Sequence, residues 1–87
     1  MSFIGSSNQQ KNQFYILIPK KEYQNISKFK GSKIKVTIQD ILNGNQIMIL
    51  SQITKQGNNH FIPIYQKYLD DFKPFLKRDL KVSLDVI

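Results

Sequence analysis

Two stretches of this chain read alike, and a repeat constrains a fold more than any composition does. The first runs Phe14-Tyr-Ile-Leu-Ile-Pro19, a polar run to Phe29, a Gly31-Ser32 turn, and Lys33-Ile-Lys-Val-Thr-Ile38. The second runs Phe61-Ile-Pro63, a polar run to Phe72, a break at Pro74, and Asp79-Leu-Lys-Val-Ser-Leu84. Ile18-Pro19 overlies Ile62-Pro63 44 residues on, whereas Ile34 to Ile38 overlies Leu80 to Leu84 46 residues on. The reading that reconciles them is a duplicated strand-helix-strand unit with two residues inserted in the second helical region.

At 87 residues, 40% of them apolar, the chain is long enough for one modest core and too short for two. The expected organisation is a polar arm over residues 1–13 and one pseudo-duplicated domain over 14–87, with halves at about 14–45 and 46–87. There are no cysteines, which excludes a disulfide framework, a thiolate metal site and a cysteine nucleophile. No targeting segment or membrane-length apolar run is present, so the expectation is a cytoplasmic protein without a membrane role.

Along the chain, Phe14 to Ile18 has the β-branched and aromatic content of a buried strand, ended by Pro19. Tyr23, Ile26 and Phe29 recur every third residue and predict a short helix, capped near Gly31. From Lys33 the period becomes two: Ile34, Val36 and Ile38 face the core, and Lys33, Lys35, Thr37 and Gln39 face water. Asn43-Gly44 signals a hairpin, so Gln46 to Thr54 pairs back, with Ile47 to Leu50 apolar on both faces and therefore central in its sheet. His60 to Ile64 is a further strand, Gln66 to Phe72 a second helix, and Leu80, Val82, Leu84 and Val86 the inward face of a last strand. Phe3-Ile4 reads as a sixth strand or a frayed end. The predicted class is mainly β with two short helices, closed into a small barrel that leaves no open edge.

The order of hairpin, Ile-Pro, short polar helix and alternating strand resembles the AbrB/MazE/SpoVT family of swapped-hairpin, cradle-loop barrels, with Ile47 to Val86 as one unit and Phe14 to Thr54 as a partial second. The resemblance implies a single-chain version of a barrel usually built from two chains, a double-psi or swapped-hairpin type, and DNA binding as its function. The family's basic positions are partly matched by Lys55 in the hairpin and Lys67 after Pro63.

Charge points the same way. Thirteen basic against six acidic residues give +7, which favours a polyanionic partner. Only Arg78 is an arginine, which favours phosphate contacts over bidentate guanine reading. The candidate nucleic-acid-binding residues are Lys20, Lys21, Lys28 and Lys30 around the first helix, Lys33 and Lys35 on the wet strand face, and Lys55 and Lys67. The expected partner is double-stranded DNA, in a small transcriptional or chromatin-associated regulator, with a homodimer and a protein partner as further expectations. The alternative is a protein-interaction module without a nucleic-acid role, either an antitoxin-like subunit or a barrel like the N-terminal domains of AAA ATPases.

An enzyme is not expected. His60 is the sole histidine, and Asp70-Asp71 diverge by about 100° on a helix; no cofactor or metal is called for. Most aromatic residues, Phe14, Tyr23, Phe29, Phe61, Tyr68 and Phe72, fall at predicted core positions, leaving Tyr15 and Tyr65 as candidates for exposure.

Overall fold

Apolar residues alternating with polar ones at Ile34, Val36 and Ile38, and again at Leu80, Val82 and Leu84, produce the two longest strands of the molecule. The computed structural model describes residues 1–87. Its strands are β1 (Ser2–Gly5), β2 (Ser7–Gln10), β3 (Gln13–Leu17), β4 (Ile34–Asp40), β5 (Gln46–Ser51), β6 (Thr54–Gln56), β7 (Asn59–Ile64) and β8 (Leu80–Val86). Between β7 and β8 lies one turn of α-helix, α1 (Leu69–Phe72), between 3-10 turns at Gln66–Tyr68 and Lys73–Phe75; two more 3-10 turns, Lys20–Glu22 and Ser27–Phe29, lie between β3 and β4.

The strands form two four-stranded antiparallel sheets, in the orders β1-β8-β4-β5 and β2-β3-β7-β6. The chain passes from β1 to β2 across Ser6, and from β5 to β6 across Gln52 and Ile53. One bent length of chain therefore supplies an edge strand to each sheet at either flank. No strand of one sheet pairs with a strand of the other, so the architecture is two open sheets facing each other over the core.

Both sheets are organised about one pseudo-dyad. In β3 and β7 the central pair is Ile16 opposite Ile62; in β4 and β8 it is Thr37 opposite Ser83. Both pairs are 46 apart in sequence, so each copy meets its own counterpart at the axis. The same separation relates every corresponding element, including the turns Lys20–Glu22 to Gln66–Tyr68 and Ser27–Phe29 to Lys73–Phe75. It also relates the 16 buried apolar residues, which fall into eight pairs. These are Phe3 with Ile49, Ile16 with Ile62, Ile18 with Ile64, Ile26 with Phe72, Phe29 with Phe75, Ile34 with Leu80, Val36 with Val82 and Ile38 with Leu84. Full burial of each such side chain contributes about 1.5–3 kcal/mol. A slip by one residue would turn a whole strand's set to water, and this pins the register.

The repeat thus has a uniform separation with no insertion, which corrects the sequence reading. Ile18-Pro19 and Ile62-Pro63 are not equivalent: Pro19 precedes the first 3-10 turn, whereas Pro63 lies inside β7 opposite Tyr15. Residues 1–13, read as an arm, instead supply β1 and β2, and Phe3 enters the core. The first copy is therefore residues 1–41 and the second 47–87, joined by residues 42–46.

Three local expectations also change. The predicted first helix is two separate 3-10 turns; Tyr23, Ile26 and Phe29 recur every three residues, which is the period that a 3-10 turn aligns on one face. β5 is an edge strand with Met48 54% exposed, because β4 and β8 occupy the centre. Val86 is exposed, although its partner across the sheet, Ile34, is fully buried.

The link between copies is held by Asp40, whose buried Oδ1 accepts hydrogen bonds from Leu42 N at 2.9 Å and Asn43 N at 3.4 Å. Its other oxygen lies 3.5 Å from Arg78 Nε. Arg78 therefore serves the fold.

Candidate nucleic-acid interface

None of the eight nominated lysines makes an ion pair. The two salt bridges of the molecule use Lys73 with Asp70 and Arg78 with Asp40. The structure distributes the eight over several surfaces. Lys20 and Lys21 occupy the exposed 3-10 turn that follows β3, where Pro19 sets the extended backbone leading into the turn. Lys28 lies on the second 3-10 turn with its Nζ 5.1 Å from the centre of the Phe29 ring, and Lys67 lies likewise 5.1 Å from the Tyr68 ring. Such cation-π contacts hold the stem of a lysine while leaving its charge in water.

Two pairs of lysines far apart in sequence are brought together. Lys33 and Lys67 line one shallow cleft with Tyr65, Leu50, Ser51 and Gln52. Lys30 and Lys55 flank His60, and after burial their positive charges are the causes that hold the histidine's pKa below 6.5. Lys35, two residues from Lys33 on the outer face of β4, pairs with Leu50 of that cleft and with Asp85 of β8. The six nominated lysines of the first copy therefore do not form one stripe.

His60 is itself built into the fold. Its ring meets Tyr23 edge-on with centroids 4.4 Å apart, and the Tyr23 hydroxyl accepts a hydrogen bond from His60 N at 3.1 Å. Neither ring nitrogen has a hydrogen-bond partner within the protein. The equivalent position in the first copy is Phe14, so His60 fills an aromatic position of the repeat. No group of three His, Asp or Glu side chains is placed to hold a metal ion. No helix is long and apolar enough to cross a membrane.

A second surface gathers Tyr15 and Tyr65, the two candidates for exposure, with residues that the sequence does not connect to them. On the outer face of the sheet containing β3 and β7, Tyr15 and Phe61 meet edge-on with centroids 5.4 Å apart, beside Leu17, Pro63 and Tyr65. Tyr15, Leu17, Phe61 and Tyr65, but not the buried Pro63, border with Gln10, Gln13, Gln56 and Asn59 an open cleft of about 820 Å³ whose lining includes Lys11 and no acidic residue. Phe61 had been placed in the core; it is half-buried and faces outward. The missed signal was alternation inside the two apolar runs. Phe14, Ile16 and Ile18 point inward between Gln13, Tyr15 and Leu17, as do His60, Ile62 and Ile64 between Asn59, Phe61 and Pro63.

Comparison of the chain with protein-family models, with characterised proteins and with solved structures finds no match.

Proposed function

We propose that this protein binds double-stranded DNA through lysine-phosphate contacts, as a small regulator or chromatin-associated protein, and that it performs no catalysis. The observation that carries the reading is the set of eight lysines without ion-pair partners on a chain of net charge +7. Uncompensated cations raise the energy of the free protein by mutual repulsion and are relieved by a polyanion. The AbrB-like resemblance supports the same reading. Each copy runs hairpin, short helical turn and alternating strand, and a pseudo-dyad is what a swapped-hairpin dimer fused into one chain would contain. The Ile-Pro recurrence no longer contributes, because its two occurrences are not equivalent.

The test is a salt titration of binding to random-sequence duplex DNA, read by fluorescence anisotropy. Each phosphate contact contributes about −0.9 to the slope of log K against log salt concentration. Six contacts would give a slope near −5, and Lys20→Glu with Lys21→Glu would make it shallower by about 1.8. A salt-independent affinity, or none at low salt, refutes the proposal.

A second reading has one observation of its own. The outer face of the β1-β8-β4-β5 sheet exposes Ile4 and Met48, and Val86 and Ile87 are exposed at the C-terminal end of β8, as a protein-contact surface would be. A concentration-dependent mass in sedimentation equilibrium, abolished by Met48→Lys, would favour a homodimer through that face.

A further inference from the structure

We infer that the outer face of the β2-β3-β7-β6 sheet is a stacking platform for the unpaired bases of single-stranded nucleic acid. Tyr15, Phe61 and Tyr65 are held on one side of two adjacent strands. Tyr65, just past the end of β7, is 37% exposed and Leu17, paired with Phe61, 42%, although the inward-facing Ile16, Ile18, Ile62 and Ile64 are almost completely buried. Tyr15 and Phe61 are half-buried and braced edge-on against each other, and aromatic rings held on a sheet offer π-faces that a base can cover.

The surroundings select a nucleic acid over an apolar partner. The flanking positions Gln10, Gln13, Gln56 and Asn59 are side-chain amides, each with a donor and an acceptor for base edges. No carboxylate lines the cleft, and its one charge is Lys11, so phosphates meet attraction without local repulsion. Lys11 also adopts a left-handed backbone, φ 57°, in a turn whose equivalent in the other copy uses Gly57 at φ 60°. A side chain there is strained by about 1 kcal/mol; the chain keeps a lysine at the rim of the cleft where its own repeat shows that glycine fits.

Duplex DNA does not satisfy this face, because paired bases are already stacked and present only their edges in the grooves. The site size follows from the strand. Phe61 and Tyr65 are four residues apart in β7 and just beyond it, roughly 13 Å at the rise of a β-strand, which spans about four bases at 3.4 Å each. The inference shares the positive charge with the proposed function but uses a different surface and a different form of nucleic acid, so either can fail alone.

The experiment uses the full chain and a fluorescein-labelled oligothymidylate of about ten nucleotides, with a duplex of equal length as comparator. Binding should be detectable at low salt, and it should quench tyrosine emission, which is unobscured because the protein has no tryptophan. Affinity should rise with length up to about four nucleotides and then level. Tyr15→Ala and Phe61→Ala should each weaken the oligothymidylate complex by about tenfold while leaving duplex binding unchanged. Tyr15→Leu, which keeps an apolar strand-compatible side chain without the ring, should lose affinity to a similar extent with an unaltered circular-dichroism spectrum. Absence of oligothymidylate binding at low salt overturns the inference, as does native affinity in Tyr15→Leu. Affinity lost with Lys20→Glu and Lys21→Glu but kept by every aromatic variant overturns it too, and leaves the lysine reading standing.

Discussion

The pseudo-dyad makes one stabilising substitution calculable. In the second copy Ser51, buried at the end of β5, donates a hydrogen bond from Oγ to the carbonyl oxygen of Pro63 at 2.7 Å. The equivalent residues in the first copy are Gly5 and Leu17. A Cβ built on Gly5 would lie 3.7 Å from the Leu17 oxygen, 3.5 Å from the Phe3 ring and 3.7 Å from Ile16 Cγ2, all ordinary contacts. Gly5→Ser therefore has room and an acceptor waiting. Removing a glycine from a strand contributes about 0.4–1 kcal/mol through the unfolded chain, and a net hydrogen bond about 0.5–1.5 kcal/mol. The expected gain is about 1–2 kcal/mol, or roughly 5–10 °C in Tm for a domain of this size. Urea and thermal denaturation followed by circular dichroism measure it, with an unchanged urea m-value as the check that the unfolded state is the same. Gly5→Ala isolates the chain-entropy part, and Ser51→Ala, which strands the Pro63 carbonyl, should lose about 1–3 kcal/mol. If Gly5→Ser is no more stable than Gly5→Ala, or Ser51→Ala costs nothing, the equivalence of the two copies at this level of detail is wrong.

Two further outcomes follow from the same comparison of copies. His60 has its pKa lowered by burial and by Lys30 and Lys55, so the unfolded chain binds its proton first as pH falls. Stability is retained above about pH 6.5 and declines as pH drops from there through the folded-state pKa; His60→Phe, the residue type that the first copy places at Phe14, should abolish that decline in urea titrations at a series of pH values. Lys77 holds φ 60° where the first copy has Gly31 at φ 77°, so Lys77→Gly should stabilise by about 0.5–1 kcal/mol in chemical denaturation; a loss of stability would mean that its backbone bond to Ser7 Oγ at 3.3 Å depends on the side chain.

Legibility varied with how local the deciding interaction is. The duplication was visible because its third strands kept both spacing and residue type, with Lys35-Val36 repeated as Lys81-Val82. Its full extent was not, because only nine of the 41 aligned positions are identical, Ile16 with Ile62 and Phe29 with Phe75 among them. Phe3 and Ile49 share no local sequence, and only the packing of both into one core reveals them as counterparts. The Ile-Pro match misled because a short apolar motif recurs easily by chance, and proline is accepted both before a helical turn, as Pro19, and in a strand where one side is unpaired, as Pro63 beyond the end of the β6 pairing. For the candidate site, the sequence supplied the lysines but not their grouping: Lys33 with Lys67 and Lys30 with Lys55 are joined only by the way the two sheets face each other.

What the sequence alone determined is the mainly β character, the two-copy construction, the absence of thiol chemistry and the excess of positive charge. Each depends on residue identity, on hydrophobic period or on counting. The tertiary structure decided which faces meet water. Residues 2–10 are polar enough to read as an arm, yet their backbone completes an edge of both sheets, and hydrogen bonds to β3 and β8 hold them there. Phe61 and Ile62 are adjacent and similarly apolar; one faces the cleft and the other the core, because a pleated strand must put neighbours on opposite sides and only the pairing of β3 with β7 says which side is in.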